Sequence, residues 1–290
     1  MTESNPGFWY NGNLETGDRI PISITDPALL YGTTHFTTLR IYNQTLTDPH
    51  THWPHHLQRL HQTLPHFIEP NWAQLTEGAT YLSKYYEILR LTLFPDGRHL
   101  ITGRSLPQDL SDRQTHGISA LLLPPDQTRS LPHLKTGNYL TPWLALQDAR
   151  LQNCAEAIFT DRNGHWLETT TGNLWGYAKG IWYTPPLYNS ENSTTILPGI
   201  QRSALIAVLQ SQNIPIQETL FQEMLFQEIL FQEIQWSPDQ IAQFECIAYS
   251  NSVIQLIPIH TIISSENIKL YQFSVNFNPI QRLQNLLLNS

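Results

Sequence analysis

Short apolar runs, broken by Gly, Pro and Asn-Gly pairs, divide this chain into strands with helices between them. Phe8-Trp-Tyr-Asn-Gly-Asn reads as a hairpin closed by an Asn-Gly turn, and Phe36 to Tyr42 as a strand ending at Asn43. Trp72 to Tyr86 has the apolar spacing of a helix. Glu87 to Phe94 reads as a buried strand before a Pro-Asp-Gly turn, and His99 to Arg104 as its partner. The polar, turn-rich Pro107 to His116 closes this part, and Gly117-Ile-Ser-Ala-Leu-Leu-Leu opens a new strand. The pattern therefore predicts a smaller α+β domain over 1–116 and a larger one over 117–290.

In the second part, Thr141 to Asn153 predicts a helix with Trp143, Leu144, Leu146 and Leu151 on its buried face. A hairpin around Asn163-Gly164 follows, then another around Lys179-Gly180. Pro198-Gly199 breaks the chain just before a helical pattern, Ser203 to Leu209, and further strands are expected at 214–216 and from about Phe244. Pro279 to Leu288 reads as an amphipathic helix with proline in its first turn. Between Leu220 and Glu233, Leu-Phe-Gln-Glu recurs three times at a period of five, matching neither helix nor strand. It reads as an expanded surface loop, since loop length has a small entropic cost, with a partner-binding helix as the alternative.

Composition narrows the class. With 40% hydrophobic and 14% charged residues the chain is globular, and a net charge of -8 argues against nucleic acid or an anionic membrane as partner. Cys154 and Cys246 cannot build a disulfide framework and read as buried free thiols of a reducing compartment. No basic leader or apolar span is visible, so a soluble, cytosolic protein is expected, and an anionic small-molecule substrate would need local arginines. His50, His52, His55, His56, His61 and His66 crowd one stretch, but their spacing does not suit a closed tetrahedral metal site, and no metal is expected.

The candidate chemistry centres on Lys135. Only 16 of 290 residues are Lys or Arg, and this one sits among Leu134, Tyr139 and Leu140, where burial would make it a nucleophile or Schiff-base partner. Such a lysine needs an electron sink. Pyridoxal phosphate would require an acid at its ring nitrogen and a phosphate cradle. Glu168 is the candidate acid, and the candidate cradle is Leu197-Pro-Gly-Ile200-Gln201-Arg202, because a helix N-terminus offers free N–H groups to an anion.

The order of these motifs is specific: Lys135-x-x-Asn-Tyr139-Leu, then Glu168-x-x-x-x-Asn-Leu, Tyr183-Thr-Pro-Pro and Leu197-Pro-Gly-Ile-x-Arg. Together they resemble the class IV aminotransferase family, the fold type IV pyridoxal-phosphate enzymes, from about Phe8 to about Ile262. The resemblance implies two α+β domains, the cofactor in the cleft between them, and a homodimer. It also implies that Arg59, in His56-Leu-Gln-Arg59-Leu60, binds the cofactor phosphate, as do Ile200, Gln201 and the polar turn at Asn251 and Ser252, with Tyr139 also beside the cofactor. A substrate-binding arginine usual in the family is missing at Leu93-Phe94-Pro95, which leaves Arg90 and Arg104 as substitutes. Tyr31 and Arg40 complete the expected substrate contacts.

Two segments resemble one branch of that family. Phe36-Thr37-Thr38-Leu39-Arg40 is similar to 4-amino-4-deoxychorismate lyases, where branched-chain aminotransferases typically carry Phe-Glu-Gly-x-Arg, and Asn251-Ser252 departs from the aminotransferase wording in the same direction. The expected activity is therefore lyase chemistry, with Lys135 moving protons and Thr38 near the leaving group. A branched-chain or D-amino acid aminotransferase is the alternative, and a cofactor-less binding protein a third reading.

Overall fold

The computed structural model describes residues 7–62, 66–188, 193–212, 214, 216–218, 236–275 and 278–288. The Leu-Phe-Gln-Glu repeat lies outside them. The chain divides into two compact units, residues 1–108 with 134–139, and residues 109–133 with 140–290. The division falls eight residues before the boundary read from the sequence, and Leu134–Tyr139 returns to the first unit. Among the described residues, no helix is long and apolar enough to cross a membrane.

The first unit is a sheet covered by helices. Its strands are β1 (Phe8–Tyr10), β2 (Asn13–Glu15), β3 (His35–Arg40), β4 (Ile88–Leu93) and β5 (His99–Arg104), ordered β2-β1-β5-β4-β3 and antiparallel throughout. Asn11 and Gly12 close the first hairpin with positive φ, as their turn type demands. The helices are α1 (Pro27–Tyr31), α2 (Trp53–His61) and α3 (Trp72–Leu82). Asp26 caps α1 by accepting from the Ala28 N–H at 2.8 Å, and Asn71 caps α3.

Alternation along β3, β4 and β5 sorts this sheet into two unlike faces. Leu39, Leu89, Leu91 and Ile101 point into a core with Leu60, Leu75, Ala79 and Leu82 of α2 and α3. The opposite face carries Thr38, Arg90 and Thr102 in one cross-strand row, and Arg40, Ile88 and Arg104 in the next. Thus three arginines and three threonines, Thr92 opposite Phe36 being the third, share one side of a small sheet.

The second unit starts with α4 (Leu110–His116) and β6 (Ile118–Leu122), and resumes with α5 (Leu140–Leu151). Then come β7 (Glu156–Thr160), β8 (Trp166–Thr169), β9 (Asn173–Ala178), β10 (Ile181–Thr184) and α6 (Ile200–Ser211). The last elements are β11 (Ile216–Glu218), α7 (Pro238–Ile241), β12 (Cys246–Asn251), β13 (Gln255–Ile263), β14 (Lys269–Gln272) and α8 (Asn278–Leu288). The path β9-β12-β13-β6-β7-β8 returns to β9 through a single residue pair, Glu168 with Asn173, so six strands close on themselves. Closure leaves these strands no free edge.

Helix α5 buries a different face from the expected one. Trp143, Leu144 and Leu151 are exposed, whereas Pro142, Ala145 and Ala149 are buried. The small side chains let the helix lie close over Leu121, Ala157 and Phe159, and large ones at those positions would hold it off. Helices α6 and α8 cover Trp175, Trp182 and Ala248 with Leu205, Leu209, Ile280 and Leu283. Cys154 and Cys246 are buried free thiols.

Packing is close in the first unit where α3 crosses β1, because a Cβ on Gly78 would stand 2.3 Å from the Trp9 ring. Alanine would gain about 1 kcal/mol in helix propensity, but the clash outweighs it, so Gly78→Ala is expected to cost about 2 kcal/mol net. Urea unfolding of the variant reads this directly; an unchanged midpoint would contradict the packing described.

Candidate active site

Lys135 is held against β3 by its own backbone. Its carbonyl accepts from the Phe36 N–H at 2.9 Å, His35 pairs with Thr136, and the Gly137 N–H donates to the Thr34 carbonyl at 2.7 Å. A Cβ on Gly137 would stand 2.1 Å from Thr34 Oγ1, so this approach needs glycine. The Lys135 Nζ lies 4.9 Å from the centre of the Phe36 ring and 5.6 Å from that of Tyr139. Those rings meet edge to face at 5.8 Å. The lysine is half-buried rather than fully enclosed. The sequence holds three others, Lys84, Lys179 and Lys269, and all are exposed.

A second cation shares the Phe36 ring. The Arg90 guanidinium carbon sits 3.6 Å from its centre. Burial among its neighbours lowers the Arg90 pKa, the Tyr139 hydroxyl opposes this, and Arg104 adds to it. An arginine nonetheless keeps its charge at working pH. Arg90 stands opposite Thr38, and Arg40, two residues on from Thr38, stacks on Tyr42 at 4.8 Å. Tyr31, at the end of α1, is 72% exposed.

Arg59 sits on α2, half-buried, close enough to two buried histidines to act on both. His56 is fully buried and shares a 2.6 Å hydrogen bond with Thr37 Oγ1; its Nε2, like Nδ1 of His35, has no hydrogen-bond partner among the described residues. Burial, then Arg59 and Lys135, pushes His35 down to about 4. The same burial, with Arg59 the next cause, holds His56 well below its ordinary value. Both rings are therefore neutral at neutral pH. Among the described residues, no three His, Cys, Asp or Glu side chains are grouped to hold a metal ion.

The second unit builds its share around Leu197. Glu168 is 5% exposed; one carboxylate oxygen accepts from Arg129 Nε at 2.9 Å and the other from the Leu197 N–H at 3.0 Å. Asn173, paired with Glu168 across β8 and β9, donates from Nδ2 to the Leu197 carbonyl at 2.9 Å. The spacing Glu-x-x-x-x-Asn thus clamps both backbone groups of the residue that leads into Pro198-Gly199-Ile200. Gly199 begins α6 without a side-chain cap, and a Cβ on it would stand 2.0 Å from Asn173 Oδ1. Ile200 and Gln201, in the first turn, are buried.

Arg202 follows in the same turn of α6. It is buried and donates to Thr184 Oγ1 and the Pro185 carbonyl, so it ties α6 to the Tyr-Thr-Pro-Pro segment. At the end of β12, Asn251 Oδ1 accepts from the N–H groups of Val253 and Ile254 at 2.9 and 3.1 Å, with half-buried Ser252 inside that turn.

Residues 34–262 match the family described as amino-transferase class IV. The chain belongs to that family, whose members depend on pyridoxal phosphate. Branched-chain-amino-acid aminotransferase of Escherichia coli K12 is 25% identical over 247 residues, 73% of this chain and 75% of the enzyme. A pyridoxal-phosphate-bound hypothetical aminotransferase of Mycobacterium tuberculosis superposes with a TM-score of 0.74 at 17% identity, over 97% of this chain and 96% of its own. The 4-amino-4-deoxychorismate lyase of Pseudomonas aeruginosa gives 0.69 at 17% identity, over 98% of each chain. At these identities the two structures speak for the fold, which is that of the fold type IV enzymes.

The residues present fit the cofactor. Lys135 offers an amine, Glu168 keeps acceptor capacity beyond its two hydrogen bonds, and α6 begins at Gly199 with no side-chain cap on its first N–H groups. The structure brings Lys135, Tyr139, Phe36 and Arg90 together in the first unit, and Glu168 together with the Leu197–Gln201 segment in the second. Arg129 was not found from the sequence, because a partner 39 residues from Glu168 leaves no periodic or motif signal.

Neutral His35 sets a pH dependence. Its folded value of about 4 lies below its ordinary 6.5, so only the unfolded chain takes up a proton between them. Stability is whole above about pH 6.5 and falls as the pH drops to about 4, by about 3 kcal/mol for His35, with His56 adding in the same direction. Urea unfolding across this interval should show the loss, and a pH-independent midpoint would contradict it.

Proposed function

We propose that the protein is a pyridoxal-phosphate lyase that converts 4-amino-4-deoxychorismate into p-aminobenzoate and pyruvate. The observation that carries this reading is the polar sheet face beside Lys135, with Arg40, Arg90 and Arg104 around Thr38 and Thr102. A branched-chain amino acid brings one carboxylate and an apolar side chain. This face suits a substrate with two carboxylates, since each charge needs its own cationic partner.

When bound, pyridoxal phosphate supplies a ring that withdraws electrons from the carbon bearing the substrate nitrogen. Glu168, oriented by Arg129 and the Leu197 N–H, holds the proton on the cofactor's ring nitrogen. Lys135 Nζ takes the ring proton from the substrate carbon bearing nitrogen. The C–O bond to the enolpyruvyl group then breaks, and Lys135 returns a proton so that pyruvate forms. Aromatisation of the remaining ring makes the step effectively irreversible. Thr38 sits across from Arg90, where its hydroxyl can steady the leaving group, and Tyr139 or Tyr31 binds the substrate ring. Arg59, the start of α6 with Ile200 and Gln201, and the Asn251-Ser252 turn serve the cofactor phosphate.

The reading includes a homodimer in the cytosol; the exposed apolar run of Ile24, Leu29, Leu30 and Tyr31 supports pairing. A second reading, transamination, is favoured by the 25% identity to the Escherichia coli aminotransferase, and it would use the same cofactor residues.

Given 4-amino-4-deoxychorismate and no keto acid, the purified loaded protein should release p-aminobenzoate and pyruvate in equal amounts over many turnovers. Thr38→Val should lower kcat/KM by about tenfold or more. Product that needs an added keto acid, or stops after one turnover, would move the assignment to transamination.

A further inference from the structure

Glu156 opens β7 and is 4% exposed, a carboxylate inside the second unit that the reaction does not use. The hydroxyls of Thr170 and Thr171, in the connection between β8 and β9, both donate to it. Burial pushes its carboxyl up, and hydrogen bonds from Thr170, Thr171 and Thr169 oppose the rise. The Thr170 N–H also donates to the Ala157 carbonyl at 2.9 Å, so the connection is fastened along β7.

The direction of these hydrogen bonds reaches further. A carboxylate only accepts, so Thr171 gives Glu156 its single O–H and its oxygen is left to accept. Asn251 Nδ2 donates to that oxygen at 3.3 Å. The amide is thereby turned so that Oδ1 faces the Val253 and Ile254 N–H groups, which it accepts at 2.9 and 3.1 Å. One buried carboxylate thus fixes which way Asn251 points, and Asn251 shapes the turn containing Ser252. We infer that Glu156 is a positioning residue for the cofactor phosphate, acting through the Thr171 hydroxyl and the Asn251 amide on the Asn251–Ile254 turn. This rests on the assignment of that turn to the phosphate, and is independent of whether the reaction is elimination or transamination.

The test is binding of pyridoxal phosphate and of pyridoxal, which lacks the phosphate, to cofactor-free protein, followed by absorbance. Glu156→Gln keeps the shape but puts a donor where an acceptor stood, and Thr171→Val removes the relay at a half-buried position where folding is less at risk. Each should raise the Kd for pyridoxal phosphate by about tenfold and change that for pyridoxal by less than about twofold. Their combination should be no worse than either alone, and Thr171→Ser should bind like the parent. Equal weakening of both ligands, or effects that multiply in the double variant, would overturn the relay. Ser252→Ala tests the underlying assignment: if it keeps the parent's preference for the phosphorylated ligand, the turn does not hold the phosphate, and the inference falls for that separate reason.

Discussion

Two cations on one aromatic ring set the conditions for the first unit's chemistry. Phe36 carries Arg90 at 3.6 Å and Lys135 Nζ at 4.9 Å from its centre. The ring attracts each charge and keeps them at a fixed spacing, while the permanent charge on Arg90 maintains a positive field where an anion would arrive. That arrangement depends on strand alternation, which turns Phe36, Thr38 and Arg40 away from the core that Leu39 enters. It depends equally on Gly137, which lets the segment bearing Lys135 pair closely with the start of β3. The polar sheet face and the amine proposed for the reaction thus lie on one strand and the short segment beside it.

The second unit holds a buried carboxylate and an uncapped helix start on a closed set of strands. Closure occurs at Glu168 and Asn173, and the same two side chains grip Leu197 from its N–H and its carbonyl. The strand pair that completes the ring is therefore also what aims the N-terminus of α6. Arg129 steadies Glu168, Arg202 fastens α6 to Thr184 and Pro185, and Glu156 governs the Thr169–Gly172 connection from beneath. These polar groups are buried or half-buried, and their hydrogen bonds to one another and to the backbone offset the desolvation.

Much of this was legible in the sequence because motifs of local chemistry survive as wording. Lys135, the Glu168-to-Asn173 spacing and the Pro-Gly before α6 each sit in a short stretch of distinctive wording, and most strands and helices announced themselves through turn residues and periodicity. Where a group acts on distant chain, the sequence was silent. Arg129 meets Glu168 across 39 residues, and Glu156 is hidden in a strand that reads as simply apolar. Helix α5 shows how size can overrule hydrophobicity: its large apolar residues suggested the buried face, but close packing over β7 required Ala145 and Ala149. The three-arginine face emerges only from the register that sets Arg90 opposite Thr38 and Arg104 opposite Ile88.

The proposed chemistry turns on Lys135 as the residue that would carry the cofactor. Sodium borohydride would fix protein-bound pyridoxal phosphate to its lysine, and mass spectrometry of the digested protein would locate it among the four lysines. Modification at Lys135 alone is expected. Modification at Lys84, Lys179 or Lys269 with Lys135 untouched would contradict it.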